Sequence, residues 1–567
     1  MTSNKKFKFD NIIPKTIDTN KVSEVLIHHE DDIINNFGID QKIKLAKKKL
    51  LVLSAGFLST IFLIVSIMFT YSNKDLALVK KTKNDFDISR GKILDRNEKI
   101  ISASIPSKDL YLDPRKIIKK EKMFVELKLV FPSISEKKLK KIISKKRYTL
   151  LKKQITKADE INILKIGEPG LIFETTEKRI YPQKNIFSQI TGFLSNYNIA
   201  QSKLEKNYDF LLSKGKDLKL TLDLKVQNIV HEEIKKGMYK YNAKSAAGLV
   251  MNVNNGEILS IVSLPDFDPN QPKKIKPFSE NNLITSARYE MGSTLKTFNI
   301  AMAIKSNPEI KDMLFDVSEP YEISKNFKVK DIEKFNEPIN INTILSKSSN
   351  IGSIKIFEYV GLDKQKEFFR LIGLKSHTEI KGLNTIQNKF PDYWNESVGK
   401  SLSFGYGASI TPISLASTFA TLVNGGFKVL PTIVKQDDHG KEKLIKKELS
   451  DEICKLLSDV VNFGSGKMAS VKYLKIGGKT STAEKNFSGK YTDKLVTSFI
   501  GVYPIDKPKY LTFILFDEPK VFKNDVKVYG GNTAAPVFSK IVSRISPILR
   551  IWPNQISNNL EEQMVQN

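Results

Sequence analysis

The chain has 567 residues, 40% of them hydrophobic, with a formal charge of +29 and five histidines. That length has room for several packed domains. Its single cysteine, Cys454, excludes an intrachain disulfide and a cysteine-cluster metal site, and the histidines have no metal-ligand spacing. Lysines occur in every segment without an aromatic-interleaved basic stripe, so the charge reads as ordinary surface with weak attraction for polyanions rather than a nucleic-acid interface.

Residues 1–49 are polar and mixed in charge, a tail that includes His28-His29. Leu50 to Tyr71 reads LLVLSAGFLSTIFLIVSIMFTY and carries no charge. As a helix it is long enough to span a bilayer of roughly 30 Å. It starts too far into the chain and runs too long for a signal peptide, and no small-x-small site follows, so it is expected to be an uncleaved anchor. Five lysines from Lys42 to Lys49 precede it and Lys74, Lys80, Lys81 and Lys83 follow, a slight bias toward a cytoplasmic N-terminus.

In residues 72–217, Arg90 to Ile101 predicts two short strands about a polar turn, and Pro114 to Leu164 a charged, helix-prone stretch. No acid/base or metal spacing occurs, which fits a spacer or docking domain. A new pattern begins near Leu218. Leu218, Leu220 and Leu222 alternate as in a strand, and Val226, Ile229 and Val230 form a helical stripe. Ala246 to Leu264 predicts a hairpin about Asn254-Asn255-Gly256.

Ser293 and Lys296 follow, three residues apart, so on a helix they share one face. A serine hydroxyl needs an adjacent base, and a lysine can be one only if burial keeps it neutral. Phe298 to Ile304 is apolar almost all round, as in a helix at a domain centre. Gly292 allows a flexible entry to the first turn. Alone the pattern is weak, since Ser-x-x-Lys also occurs at Ser3, Ser89, Ser135, Ser213 and Ser397. Downstream, Ser348-Ser349-Asn350 reads as a loop between two helices, Pro412 to Leu422 as an apolar helix, and residues 475–483 as a strand. Ser498 to Val502 and Tyr510 to Phe516 are two late strands. Hairpin, helices, then strands predict an α+β domain built on an antiparallel sheet.

The ordered set Ser293-x-x-Lys296, Ser348-x-Asn350 and Lys479-Thr480-Ser481 resembles the active-site motifs of penicillin-binding proteins and serine β-lactamases. With Arg90-Gly91, Asp95-Arg96-Asn97, Arg179, Tyr181-Pro182, Glu205, Tyr208-Asp209, Phe404 to Gly407, Gly530-Gly531 and Ala534 to Phe538, the chain resembles class B penicillin-binding proteins, and among them the septal transpeptidases. Elongation-specific relatives usually carry Asp where this chain has Asn350. Three positions depart from the family pattern. Ser481 and Glu98 stand where glycine is usual, and Ser102 where alanine is usual.

The resemblance implies residues 1–49 as a cytoplasmic tail, 50–71 as a transmembrane helix, 72–217 as an elongated, mostly β/α pedestal, 218–550 as the transpeptidase domain and 551–567 as a tail. It implies a β-lactamase/D,D-peptidase-like fold, an inner-membrane location with the catalytic domain periplasmic, and stem peptides ending in D-Ala-D-Ala as substrate. Ser293 would be the nucleophile, Lys296 its base, Ser348 a proton relay, and Asn350 a partner of the substrate amide. Lys479 and Thr480 would bind the terminal carboxylate, and the N–H groups of Ser293 and Thr482 would form the oxyanion hole. On a strand, Ser481 shares the face of Lys479 and is expected to point toward substrate. β-Lactams are expected as covalent inhibitors, a polytopic glycan polymerase and other division proteins as partners, and no metal or cofactor. The alternatives are an elongation-type transpeptidase, a D,D-carboxypeptidase of the same fold, or a non-enzymatic division scaffold.

Overall fold

The computed structural model of the chain describes residues 39–79, 89–144, 146–324, 327–435, 442–487, 489–520 and 527–551. The tail before residue 39, with His28-His29, and the tail from residue 552 lie outside those residues. The chain divides into two units, residues 1–87 and 88–567.

In the first unit, one helix, Ile39–Val79, contains the expected anchor and extends past it at both ends. Its apolar part is Lys48–Met68, 21 residues with mean hydropathy 2.5 and no buried side chain. At 1.5 Å per residue this is about 31 Å, enough by length and composition to cross a membrane.

The second unit opens with β1 (Ile93–Leu94) and β2 (Ile100–Leu112), antiparallel as expected. Their turn is held by Asp95, whose Oδ1 accepts the N–H groups of Asn97 and Lys99, both at 2.8 Å. Glu98 sits in this turn at φ +63, the left-handed conformation in which the family has glycine. β3 (Thr149–Ile155) and β4 (Leu171–Ile180) pair antiparallel with β2, and β5 (Leu218–Lys219) pairs parallel with β1. Helices Lys120–Val130, Glu136–Ser144 and Lys157–Ile166 bury Met123, Leu127, Leu139 and Ile163 in this domain's core. The helix-prone stretch expected over Pro114 to Leu164 does hold these three helices, with β3 between the second and third. The buried residues of β3, Leu151 and Ile155, are four apart, which mimics a helical stripe. Residues four apart also share one face of a strand, so the spacing fits helix and strand alike, and Gln154 at φ +48 marks an irregularity in the pairing with β2.

A buried ion cluster joins the family-pattern residues of this region. The Glu205 carboxylate, wholly buried, accepts from Arg179 at 2.7 Å, Arg90 at 2.8 Å and Ser102 Oγ at 3.2 Å. The serine that replaces the family's alanine therefore adds a member to this network. Asn97 donates to Asp223 at 2.9 Å and Arg96 pairs with Glu257 at 3.1 Å, which fastens the β1–β2 turn to the following domain.

That domain is built on a five-stranded antiparallel sheet. Helix Leu224–Lys240, capped by Asp223, leads into β6 (Ser245–Asn252) and β7 (Ile258–Leu264), the expected hairpin. The short pieces β8 (Tyr289–Glu290), β9 (Tyr321–Ser324), β10 (Phe327–Val329) and β11 (Ser409–Ile410) form two small ribbons among the helices. β12 (Gly477–Phe487), β13 (Lys490–Tyr503) and β14 (Tyr510–Asp517) complete the sheet in the order β12-β13-β14-β6-β7, with β12 at an edge.

Strand alternation divides the sheet's side chains between two cores. Leu249, Met251, Ile500, Val502, Phe513 and Leu515 face the helical layer that holds Ser293. Val250, Phe499, Tyr503, Ile514 and Phe516 face helices Leu224–Lys240 and Ala534–Ile545. Covered on both sides, these strands read as nearly continuous apolar runs. Helix Leu295–Ser306 is buried from Leu295 through Ile304, and its Phe298 meets Phe419 of helix Pro412–Val423 edge to face at 6.2 Å. The apolar run after Lys296 thus makes the central helix that the sequence leads one to expect.

Candidate active site

Ser293 stands in a tight turn, Gly292–Thr294, that leads directly into the central helix. Gly292 has φ +45, and its N–H donates to Gly405 O at 3.1 Å. A Cβ on Gly405 would lie 1.9 Å from Gly292 O, so the Phe404 to Gly407 stretch acts through close backbone approach to the turn.

Lys296, one turn further, is fully buried, and its Nζ meets four oxygens. Ser293 Oγ lies at 3.0 Å, Ser348 O at 2.7 Å, Ser348 Oγ at 3.2 Å and Asn350 Oδ1 at 2.5 Å. Ser348 O and Asn350 Oδ1 can only accept. The Asn350 amide is oriented by its Nδ2, which donates to Lys330 O at 3.3 Å. A neutral amine has two N–H groups, which those two oxygens take, and its lone pair is left for the Ser293 hydroxyl. Burial pushes the Lys296 ammonium down to about 7, partly opposed by the negative charge of Asp331.

Ser348 and Ser349 form the turn between helices Ile341–Lys347 and Asn350–Val360, as expected, with Ser348 in the left-handed region at φ +63. Lys479, fully buried on β12, places its Nζ 3.0 Å from Ser348 Oγ. Burial, and then the charge of Lys296, hold Lys479 well below the usual lysine range. The five residues Ser293, Lys296, Ser348, Asn350 and Lys479 are therefore one hydrogen-bonded cluster. It opens on a cleft of about 710 Å³ whose walls include Ser293, Tyr406, Thr480, Ser481, Thr482 and Tyr529.

The substrate-facing expectation for Ser481 needs correction. The β12–β13 register puts Lys479 opposite Ile500 and Ser481 opposite Ser498, so both side chains do share the face toward the Ser293 helix. Yet Ser481 is buried, and its hydroxyl donates to Met291 O at 2.7 Å. A Cβ on Gly292 would lie 2.6 Å from Ser481 Oγ, so the serine side chain fills the gap between strand and turn. On the other face, Thr480 Oγ1 is 2.8 Å from Ser465 Oγ, and Thr482 Oγ1 accepts the Gly530 N–H at 3.0 Å.

Sequence reasoning missed Asp331 and Ser465, which reach the site from segments without motif spacing. Gly530 and Tyr406, both quoted in the family pattern, are in contact with β12. Among the described residues there is no group of His, Cys, Asp and Glu able to hold a metal ion.

Comparisons with known proteins agree with this geometry. Residues 246–543 match the family model for the penicillin-binding protein transpeptidase domain, and 87–218 match the penicillin-binding protein dimerisation domain. A Caulobacter vibrioides protein named "Probable peptidoglycan D,D-transpeptidase FtsI" is 30% identical over 82% of this chain and 82% of its own. Peptidoglycan D,D-transpeptidase FtsI of Buchnera aphidicola is 27% identical over 84% of this chain and 89% of its own. Stage V sporulation protein D of Bacillus subtilis is 28% identical over 92% of this chain and 88% of its own. A solved structure from Atopobium parvulum, described as a peptidoglycan glycosyltransferase, superposes with TM-score 0.64 at 19% identity, covering 82% of this chain and 99% of its own, which shows the shared fold. With both family models matched in order and a relative at 30% identity along most of its length, the chain belongs to the class B penicillin-binding proteins.

Proposed function

We infer that this protein is a serine D,D-transpeptidase that crosslinks peptidoglycan stem peptides at the division septum. The observation that carries the reading is the fully buried Lys296 Nζ, 3.0 Å from Ser293 Oγ, with Ser348 O and Asn350 Oδ1 placed to accept its N–H groups. Ser293 Oγ attacks the carbonyl before the terminal D-Ala as its proton passes to Lys296. The N–H groups of Ser293 and Thr482 stabilise the oxyanion. The proton then reaches the leaving amine from Lys296 through Ser348, whose Oγ lies 3.2 Å from Lys296 Nζ. D-Ala departs, and an amine from a neighbouring stem attacks the acyl-enzyme to form the crosslink. Lys479 and Thr480 receive the substrate's terminal carboxylate, whose charge favours a protonated Lys479 once it is bound. Asn350 hydrogen-bonds the substrate amide.

The same reading has helix Ile39–Val79 cross the inner membrane once, with the N-terminus cytoplasmic and the cleft periplasmic. Its domains are a tail to residue 49, a span over 50–71, a pedestal over 72–217, and a transpeptidase domain over 218–550. A polytopic glycan polymerase and other division proteins are the expected partners, on the strength of relatives named FtsI. Labelling by a fluorescent penicillin, followed by mapping of the modified residue, tests the mechanism. Modification of Ser293 supports it, and labelling of any other serine, or none, overturns it.

A further inference from the structure

The stretch from Lys330 to Glu333 carries no motif, yet two of its four residues grip the Ser348-Ser349-Asn350 turn and a third pairs beside it. Lys330 O accepts from Asn350 Nδ2 at 3.3 Å. The Asp331 carboxylate accepts from three donors, Ser349 Oγ at 2.5 Å, Asn350 N at 2.5 Å and Ile351 N at 3.1 Å. Glu333 pairs with Lys347 at 3.0 Å, just before the turn. Ile332, 77% exposed, is left on the rim of the cleft.

The turn needs such a hold. Ser348 occupies the left-handed region, which side chains other than glycine and asparagine seldom adopt. The two N–H groups that open the Asn350–Val360 helix have no partner one turn back along the chain, and a carboxylate there makes charge-assisted bonds along the favourable direction of the helix dipole. Ser349 relays this hold, since its Oγ donates to Asp331 and accepts from Gly352 N at 2.8 Å. Asn350, whose Oδ1 touches Lys296, and Ser348, which bridges both lysines, are the residues fixed by it.

We propose that Asp331 is a positioning residue for the acylation step, holding Ser348 and Asn350 in the geometry that lets Lys296 act on Ser293. The proposal rests on the serine mechanism above and adds a member outside its motifs. Asp331 also acts on Lys296 through charge. The charged groups facing the Lys296 site among the described residues are Lys479 from β12, Asp331 from this stretch, and the mutually paired Lys347 and Glu333 at the rim. The Asp331 carboxylate works against burial and favours the protonated lysine. Its removal makes Lys296 release its proton at lower pH.

The test is the rate of acylation by a fluorescent penicillin as a function of pH, on the detergent-solubilised full chain and two variants. Asp331→Asn retains an oxygen for the Asn350 and Ile351 N–H groups but loses the charge and the acceptor of the Ser349 hydroxyl. It is expected to stay within roughly tenfold of the wild type at its best pH, with the acid limb moved to lower pH. Asp331→Ala loses the hold as well and is expected to be slower by about a hundredfold, the effect of misplacing catalytic groups by about 1 Å. An Asp331→Ala rate within about threefold of the wild type overturns the positioning role. An acid limb of Asp331→Asn that coincides with the wild type overturns the electrostatic role. Should Asp331→Ala fail to fold, Asp331→Ser, whose single short hydroxyl cannot reach all three donors, takes its place, and a rate within about threefold of the wild type overturns the positioning role. Mapping the label in the wild type separates these outcomes from failure of the serine mechanism, which would place the label elsewhere than Ser293.

Discussion

Ser481→Gly restores the family's residue and isolates what the serine does. The substitution removes the hydroxyl that donates to Met291 O at 2.7 Å. A buried neutral hydrogen bond contributes about 1 kcal/mol, and glycine within a strand costs a further 0.5–1 kcal/mol or so in backbone entropy. The variant should therefore be less stable by about 1.5–2 kcal/mol. The nucleophile's turn keeps two other ties, Gly292 N to Gly405 O at 3.1 Å and Thr294 N to Met291 O at 3.2 Å. Its geometry should survive, and acylation should change by less than about tenfold, or roughly 1.4 kcal/mol of barrier. Rapid-mixing measurement of penicillin acylation gives the rate, and chemical denaturation gives the stability difference. A rate change well above tenfold with unaltered stability would refute this reasoning, because it would mean that the hydroxyl acts on the bound acyl chain and not on Met291.

Ser293→Ala should abolish both acylation and crosslinking in a folded chain, checked by labelling beside a thermal melt. Lys296→Arg should be nearly as damaging, since a guanidinium cannot deprotonate, and an arginine variant that acylates at the wild-type rate would reduce Lys296 to electrostatic support. Wild-type acylation should rise with pH through about 7, as Lys296 loses the proton that makes it inert. The same depressed lysine should make the fold gain stability as pH rises from about 7 toward 10.5, because there the unfolded chain holds a proton that the folded one has released. Glu205→Ala strands Arg179 in a buried site, with Arg90 keeping Asp209, and should cost about 3–5 kcal/mol in a denaturation experiment, while the folded fraction acylates normally. A chain shortened to begin at Asn73 should stay in solution without detergent and still bind penicillin, which sedimentation and labelling would check.

Local pattern determined much of this protein. The uncharged run from Leu50 to Tyr71 dictates a helix because no other element hides so long an apolar segment's backbone from lipid. Asn254-Asn255-Gly256 between apolar strands dictates the β6–β7 hairpin, and the run after Lys296 dictates a buried helix that can desolvate an amine. The three-residue spacing of Ser293 and Lys296 places them together through helix geometry alone. The period of two in β12 likewise puts Lys479 and Ser481 on one face. Packing decided what lies opposite those faces. Only the approach of β12 to the nucleophile's turn turns Ser481 from a substrate-facing group into a partner of Met291. Only the return of the Lys330–Glu333 stretch over the Asn350 helix brings Asp331 to the site, from a position with no periodic relation to it. A strand such as β3, whose buried residues fall four apart, escapes a pattern reading because that spacing fits one face of a helix as well as one face of a strand. Its pairing with β2 decides for the strand, and pairing between distant segments leaves no local mark in the chain.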